Sequence, residues 1–438
     1  MKYSDVVKTI LINTINELAN DPNKYAVNPS SDFSRNRKLG FKDLLFMFLT
    51  MEAKCVKEEI YLYFGRKTTA PSKAAFYKQR KKLREDALRN LLLAFNKKLK
   101  NNLYNGKYQL IACDGSSLNI YRNPDDPDTF FEPNGKSTRG FNLIHVNAFY
   151  SILDRRFTDL VVQPGRKRNE YRAFCEMVDA AEQAAPPSIY FGDMSYASYN
   201  NFAHVLEKGH YFLIRCNHKK TQGILGYPLD GVMELDCHVD RILSRSRAKK
   251  KMQHPEMAES YRYVCKSVAM DFLTDDQPEY KVSLRVIRIQ LEDGSFENII
   301  TNLPDLEFDI LDFKDLYNLR WKEENSFRDI KYPLCLNAFH SKKYEYVVQE
   351  VWARAILHNF SSEVIKNVDI PKRKRKYEYQ ANFAEGFRTC RDFLRDKDEK
   401  TVLDVEGLIA QNIEAVRPGR IFARQQRFKL PVSFCYRN

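Results

Sequence analysis

The order of short apolar runs between residues 108 and 216 constrains the fold of this chain more than any other feature. Tyr108-Gln-Leu-Ile-Ala-Cys-Asp114 is an apolar run that meets Asp-Gly, the pattern of a buried strand entering a turn. Phe141 to Ile152 alternates as a second strand, Asp154-Arg-Arg marks a turn, and Phe157 to Val162 supplies a third, so an antiparallel meander is expected. Asn169 to Ala184 has helical spacing and is closed by Pro186-Pro187. Ser188-Ile-Tyr-Phe-Gly-Asp193 reads as a fourth strand, again ending in an aspartate. Tyr196 to Lys208 reads as a helix, and His210 to Cys216 as a fifth strand.

The flanking regions differ in character. Residues 1–104 read as helical, because Gly and Pro are sparse and apolar residues recur at helical spacing. Phe41 to Thr50 is a strongly apolar helix, Lys54 to Tyr63 a second, and Ser72 is placed to cap a third that carries Lys78, Arg80 and Lys81. A helix, a short turn and a basic helix fit a helix-turn-helix, and they fit equally a plain helical bundle with a solvated face. Residues 218–303 break the alternation of strands and helices. They hold the basic cluster Arg241, Arg245, Arg247, Lys249, Lys250 and Lys251, then strand-like Lys281 to Leu291 and Ile299 to Leu303, which reads as a β-rich insertion. Leu311 to Tyr332 and Tyr344 to Val364 read as helices. Lys372 to Lys376 is a basic run, and the tail beyond Glu414 carries Arg417, Arg420, Arg424, Arg427, Lys429 and Arg437 with no acid.

At 438 residues the chain is expected to form two to four units with a sizeable core. Its 71 basic and 57 acidic residues leave a net charge of +14, which favours a polyanionic partner. No apolar run approaches bilayer length, and the N-terminus lacks the regions of a signal peptide, so no membrane association is expected. The nine cysteines are scattered without zinc-like spacing, which suggests reduced thiols and a cytoplasmic setting.

Tyr317 to Lys331 sorts its own residues. At about 100° per residue, Tyr317, Arg320, Glu324 and Lys331 share an arc of roughly 60°, while Glu323 falls outside it. A carboxylate set between two cations stays ionised at neutral pH, which suits a metal ligand acting on an anionic substrate. Tyr, two residues, Arg, three residues, Glu, six residues, Lys resembles the last catalytic helix of bacterial insertion-sequence transposases of the Tyr-Arg-Glu-Lys signature group, the insertion-sequence-four family. Asp114-Gly115-Ser116 resembles that family's first aspartate motif. Asp193-Met-Ser-Tyr196 resembles its second, with Ser195 where glycine is more usual. Thr301-Asn302-Leu303 resembles the exit of the β-rich insertion in relatives, and the 131 residues between Asp193 and Glu324 leave room for that insertion.

The strand order and the resemblance together imply an α/β fold. Its ribonuclease-H-like core (105–217 and 304–368) is interrupted by a β-rich insertion (218–303). A helical DNA-binding domain (1–104) precedes it and a basic C-terminal region (369–438) follows. In such a core the ends of the first and fourth strands lie side by side. Asp114, Asp193 and Glu324 would then hold two Mg²⁺ ions, or Mn²⁺ in their place, for phosphoryl transfer. The resemblance assigns Arg320 and Lys331 to phosphates near the scissile bond, Tyr317 to a phosphate or the DNA end, and Arg215 to a DNA contact. Lys78, Arg80 and Lys81 are the N-terminal candidates for DNA binding. The partners implied are double-stranded DNA at terminal inverted repeats, target DNA, and a second copy of the chain in a paired-end complex in the bacterial cytoplasm. The competing expectation is a transposase-derived DNA-binding protein without catalytic activity.

Overall fold

The computed structural model describes residues 2–134, 138–181, 186–246, 259–291, 294–320, 334, 336, 338–370, 377–396 and 403–416, the side chains of Asn318 and Arg320 excepted. The N-terminal region is helical, with α1 (Tyr3–Asn20), α2 (Phe41–Thr50), α3 (Val56–Tyr63), α4 (Lys73–Arg80) and α5 (Ala87–Lys97). Each buries residues spaced three or four apart, as Val7, Leu11, Ile15 and Leu18 do in α1. Ser72 caps α4 by accepting from the Ala75 N–H.

The centre is one ten-stranded sheet. Its strands are β1 (Gln109–Ile120), β2 (Phe130–Phe131), β3 (Phe141–Ser151), β4 (Arg156–Pro164), β5 (Ser188–Gly192), β6 (Tyr211–Cys216), β7 (Leu235–Ser244), β8 (Tyr261–Tyr263), β9 (Glu279–Gln290) and β10 (Phe296–Thr301). The order is β2-β3-β1-β5-β6-β10-β9-β7-β8, with β4 also against β3. β1, β3 and β4 form the expected antiparallel meander, and β5 and β6 then add in parallel beside β1. α6 (Glu170–Asp179) and α7 (Tyr199–Glu207) are the crossovers, and α8 (His218–Leu225) follows β6. The strands of 218–303 extend the same sheet, because β10 pairs antiparallel with β6. The exit of that region is stapled to the core: Thr301 Oγ1 donates to the Phe212 carbonyl at 2.6 Å, and Asn302 bonds Phe212 N–H and the His210 carbonyl.

α9 (Ile310–Arg320) and α10 (Tyr344–Lys366) come next. A small C-terminal unit closes the described chain: β11 (Tyr379–Ala381), α11 (Phe383–Arg395), α12 (Val405–Gln411) and β12 (Ile413–Ala415).

Side-chain alternation assigns the two faces of the sheet. Ile111 and Cys113 of β1, Tyr190 of β5 and Phe212 of β6 pack with α6 and α7. Leu110, Ala112, Ile189, Phe191 and Leu213 point the other way and pack with Phe313, Leu316 and Tyr317 of α9. Further along β1 on that second face, Leu118 and Ile120 join Ile144, Val146 and Phe157 in a core shared with α10 and the N-terminal helices. The helices of residues 1–104 are thus bonded into the α10 layer.

One expectation is corrected here. β1 does not turn at Asp114-Gly115 but runs on to Ile120, paired with β3 throughout. Gly115 serves close approach instead: a Cβ there would lie 2.6 Å from His145 Nε2 and 3.1 Å from Asn147 Oδ1.

Candidate active site

On the face covered by α9 and α10, the apolar series of β1 reads Leu110, Ala112, then Asp114 and Ser116, then Leu118 and Ile120. The polar pair marks the gap between the two apolar layers. Strand register aligns that gap with its neighbours. Ala112 pairs with Phe191 of β5, and Gly192 of β5 pairs with Ile214 of β6. Continuing the register sets Asp114, Asp193 and Arg215 level on three adjacent chain segments, all on the same face by alternation. Neighbouring strands lie about 4.8 Å apart, so Asp114 and Asp193 follow closely spaced backbone positions.

Local structure holds each member. Asp193 is extended and caps the turn Met194–Tyr196: its Oδ1 accepts from the Ser195 N–H at 2.8 Å and from the Ser195 hydroxyl. Oδ2 is the oxygen that remains for an ion. Arg215 is held by Glu297 of β10 at 3.3 Å, and both are partly buried.

Behind the carboxylates, on the opposite face, lies a buried polar shell that sequence reading missed. His145 Nδ1 is 3.1 Å from Ser117 Oγ, and its Nε2 lies 3.0 Å from Glu170 Oε1 at the start of α6. The His145 contact, outweighing burial and helped by Arg168 and Ser195, holds the Glu170 carboxyl below the usual range. Ser195 therefore links Asp193 to this shell. Asn147, wholly buried, meets Gln163 at 3.3 Å and Tyr196 Oη at 3.4 Å. The available signal was the pair of a glycine after Asp114 and a histidine at a core position of the facing strand.

Other candidates divide. Glu324 and Lys331 lie outside the described residues, as does the side chain of Arg320. Tyr317 is 1% exposed and packs α9 onto the sheet, so its ring is a core element rather than a DNA contact. Arg80 is corrected likewise. It is fully buried, donates to Glu350 Oε1 at 3.1 Å and to the Tyr346 carbonyl at 2.8 Å, and has no access to a phosphate. Lys78 and Lys81 are exposed. In the 218–303 region Arg241 and Arg245 are engaged by backbone carbonyls, while 247–258 and the tail 417–438 lie outside the described residues.

A family profile described as Transposase DDE domain matches residues 105–360, more than half of the chain and the whole span that carries both aspartates and α9. The chain belongs to the transposase DDE domain family. None of the curated proteins matches it. Among solved structures it is similar to the piggyBac transposase synaptic complex with hairpin DNA. The identity there is 9% and the TM-score 0.44, covering 97% of this chain and 88% of that one.

The donor chemistry of a DDE domain can be tested on the residues present. Aspartate oxygens are the ligands hard divalent ions prefer, and the level pair Asp114 and Asp193 fits such an ion. Among the described residues no three metal-ligating side chains converge. No described helix is long and apolar enough to cross a membrane.

Proposed function

We propose that this DDE domain belongs to a DNA transposase of the Tyr-Arg-Glu-Lys insertion-sequence group, which cleaves the ends of its own element and joins them to target DNA. The observation that supports the reading is the parallel pairing of β1 with β5 as far as Ala112 and Phe191, two residues before Asp114 and Asp193, on the sheet face covered by α9 and α10. The segment joining those helices contains Glu324, the third ligand in this proposal. Divalent ions, Mg²⁺ or Mn²⁺, supply activation of the attacking oxygen and stabilisation of the leaving one when bound. Asp114, Asp193 and Glu324 hold them. Ser195 fixes the rotamer of Asp193, and Arg215 faces the same level to meet a phosphate. Arg320 and Lys331 are assigned to phosphates beside the scissile bond. Two copies act together on paired inverted repeats.

The test is cleavage of duplex DNA carrying the element's own ends, with Mg²⁺, by the unmodified protein and by Glu324→Gln. Cutting by the unmodified protein alone, leaving a 3′ hydroxyl at the element end, is the expected result. Equal cutting by both removes Glu324 from the site. End-specific binding without cutting by either, in Mn²⁺ as well, replaces the proposal with a DNA-binding protein that has lost catalysis.

A further inference from the structure

The loop from Asn28 to Leu39 is short of apolar residues, yet it is firmly anchored. Val27 N–H donates to the Lys82 carbonyl at 2.9 Å and Arg84 N–H to the Tyr25 carbonyl at 2.8 Å, fastening the loop's start to the end of α4. Asp32 Oδ2 accepts from the Asn28 N–H and side-chain amide at 3.0 and 3.2 Å, and Ser34 Oγ donates to the Ser31 carbonyl at 2.8 Å. Phe33 sits at φ 57°, in the left-handed region, where a bulky side chain costs on the order of 1–3 kcal/mol. Its ring meets Phe41 edge-on at 5.2 Å and lies 5.8 Å from the Lys82 ammonium, contacts that hold this conformation.

The loop and α4 enclose an open polar cavity of about 460 Å³ whose lining includes Ser30, Ser31, Ser34, Arg35, Arg37 and Lys82. Arg35 and Arg37 are exposed, and among the described residues neither meets a carboxylate or a carbonyl. Other arginines of this region are engaged: Arg84 by Asp86, Arg89 by Asp159 and Arg80 by Glu350. The single acid of the loop, Asp32, is buried and turned to Lys82 at 3.7 Å. Lys78 on α4 and Lys81 just after it are exposed.

We propose that this loop is a docking site for the phosphate backbone of duplex DNA, with Arg35 and Arg37 as its charged groups and the Ser30 and Ser31 hydroxyls as hydrogen-bond donors. Guanidiniums without partners among the described residues, hydroxyl donors and a preset backbone suit phosphate oxygens. The loop's one aromatic ring is packed against Phe41, so no platform is offered for stacking the bases of a single strand. The inference rests on the DNA reading above and adds to it a surface outside Lys78 and Lys81.

The test is binding of the full chain to a duplex carrying the element's ends and to a scrambled duplex of equal length, over a salt series, before and after Arg35→Ala/Arg37→Ala. Both side chains are exposed, and an unchanged melting curve shows that the fold is kept. Losing two phosphate contacts lowers the slope of log K against log salt by about two. It also weakens binding roughly thirtyfold near 0.15 M salt, equally on both duplexes. Unaltered affinity and slope, with the unmodified protein binding well, overturn the site and leave the transposase reading standing. A loss confined to the element's ends would mean base reading and overturns the phosphate assignment. A greater loss on single-stranded RNA than on duplex DNA overturns the choice of partner. Failure of the unmodified protein to bind either duplex at low salt removes the DNA reading itself, and this proposal with it.

Discussion

His340 is the most exposing place to test how the N-terminal helices are joined to the catalytic half. It is 1% exposed. Its Nδ1 lies 3.0 Å from Glu350 Oε2 on α10, and its Nε2 lies 3.0 Å from the Lys54 carbonyl and 3.8 Å from Glu59 Oε1 on α3. Both ring nitrogens face acceptors, which only the imidazolium satisfies. Burial favours the neutral ring, but the charge and hydrogen bond of Glu350, joined by Glu59, outweigh it and raise the pKa from 6.5 to about 9. The same contact seen from Glu350 depresses that carboxyl to about 2, and it is one interaction counted once. Because the folded pKa lies above the unfolded one, the contribution is complete below about 6.5 and is lost as pH rises through about 9. Its size is roughly 3 kcal/mol, from about 1.4 kcal/mol per pKa unit. Urea unfolding followed by far-UV circular dichroism across pH 6 to 9.5 should show the unmodified protein losing that much more stability than His340→Gln. Parallel profiles for the two proteins would refute a charged His340 at this joint.

Three further outcomes follow from the same geometry. Arg80→Ala strands Glu350 without its guanidinium and should cost about 3–5 kcal/mol, whereas Lys81→Ala should stay within about 0.5 kcal/mol. Equal melting temperatures for the two would contradict the burial of Arg80. Gly115→Ala drives a methyl into the buried His145 and should cost roughly 1–3 kcal/mol, while abolishing end cleavage in protein that still binds DNA. Retained cleavage would show that the His145 shell can yield without disturbing Asp114. Ser195→Ala removes a hydrogen bond that orients Asp193 and should weaken Mn²⁺ binding ten- to hundredfold by calorimetry. Unchanged Mn²⁺ binding would separate Ser195 from the ligand's position.

The meander was legible because a buried strand leaves a strong pattern. In β1 the series Leu110, Ala112, Leu118 and Ile120 is apolar on one face, and Asp114 and Ser116 interrupt it. An interruption inside an apolar series costs burial energy unless something repays it, so it points to a site. The same residues were misread locally, since Asp-Gly is the commonest short signal of a turn. What keeps β1 extended is its pairing with β3 through to Ile120, and on that strand His145, 30 residues from Gly115, takes the space a side chain would need. No local rule sees that contact.

Charge was the less reliable guide, for a related reason. Lys78, Arg80 and Lys81 are equivalent in composition, yet only Arg80 meets Glu350, 270 residues further on, and is drawn inside by it. A guanidinium can be buried when two carboxylate contacts and a carbonyl share its donors, while an ammonium at the next turn stays hydrated. The partner that decides this lies on α10, so the sequence of α4 alone cannot distinguish an anchor from a DNA contact. The consequence is mechanical. Arg80 and Tyr77 of α4, and Glu59 of α3, all meet α10 or the segment just before it around His340. That segment continues from the stretch containing Glu324. In the function proposed above, load placed on the N-terminal helices by bound DNA would pass through this buried ionic joint to the segment that follows Glu324 in the sequence. Arg35→Ala/Arg37→Ala and His340→Gln should separate the two ends of that path. The first weakens DNA binding with cleavage at saturating DNA retained, and the second lowers cleavage with binding retained. If both variants lost binding and cleavage in the same proportion, the joint would carry no such coupling.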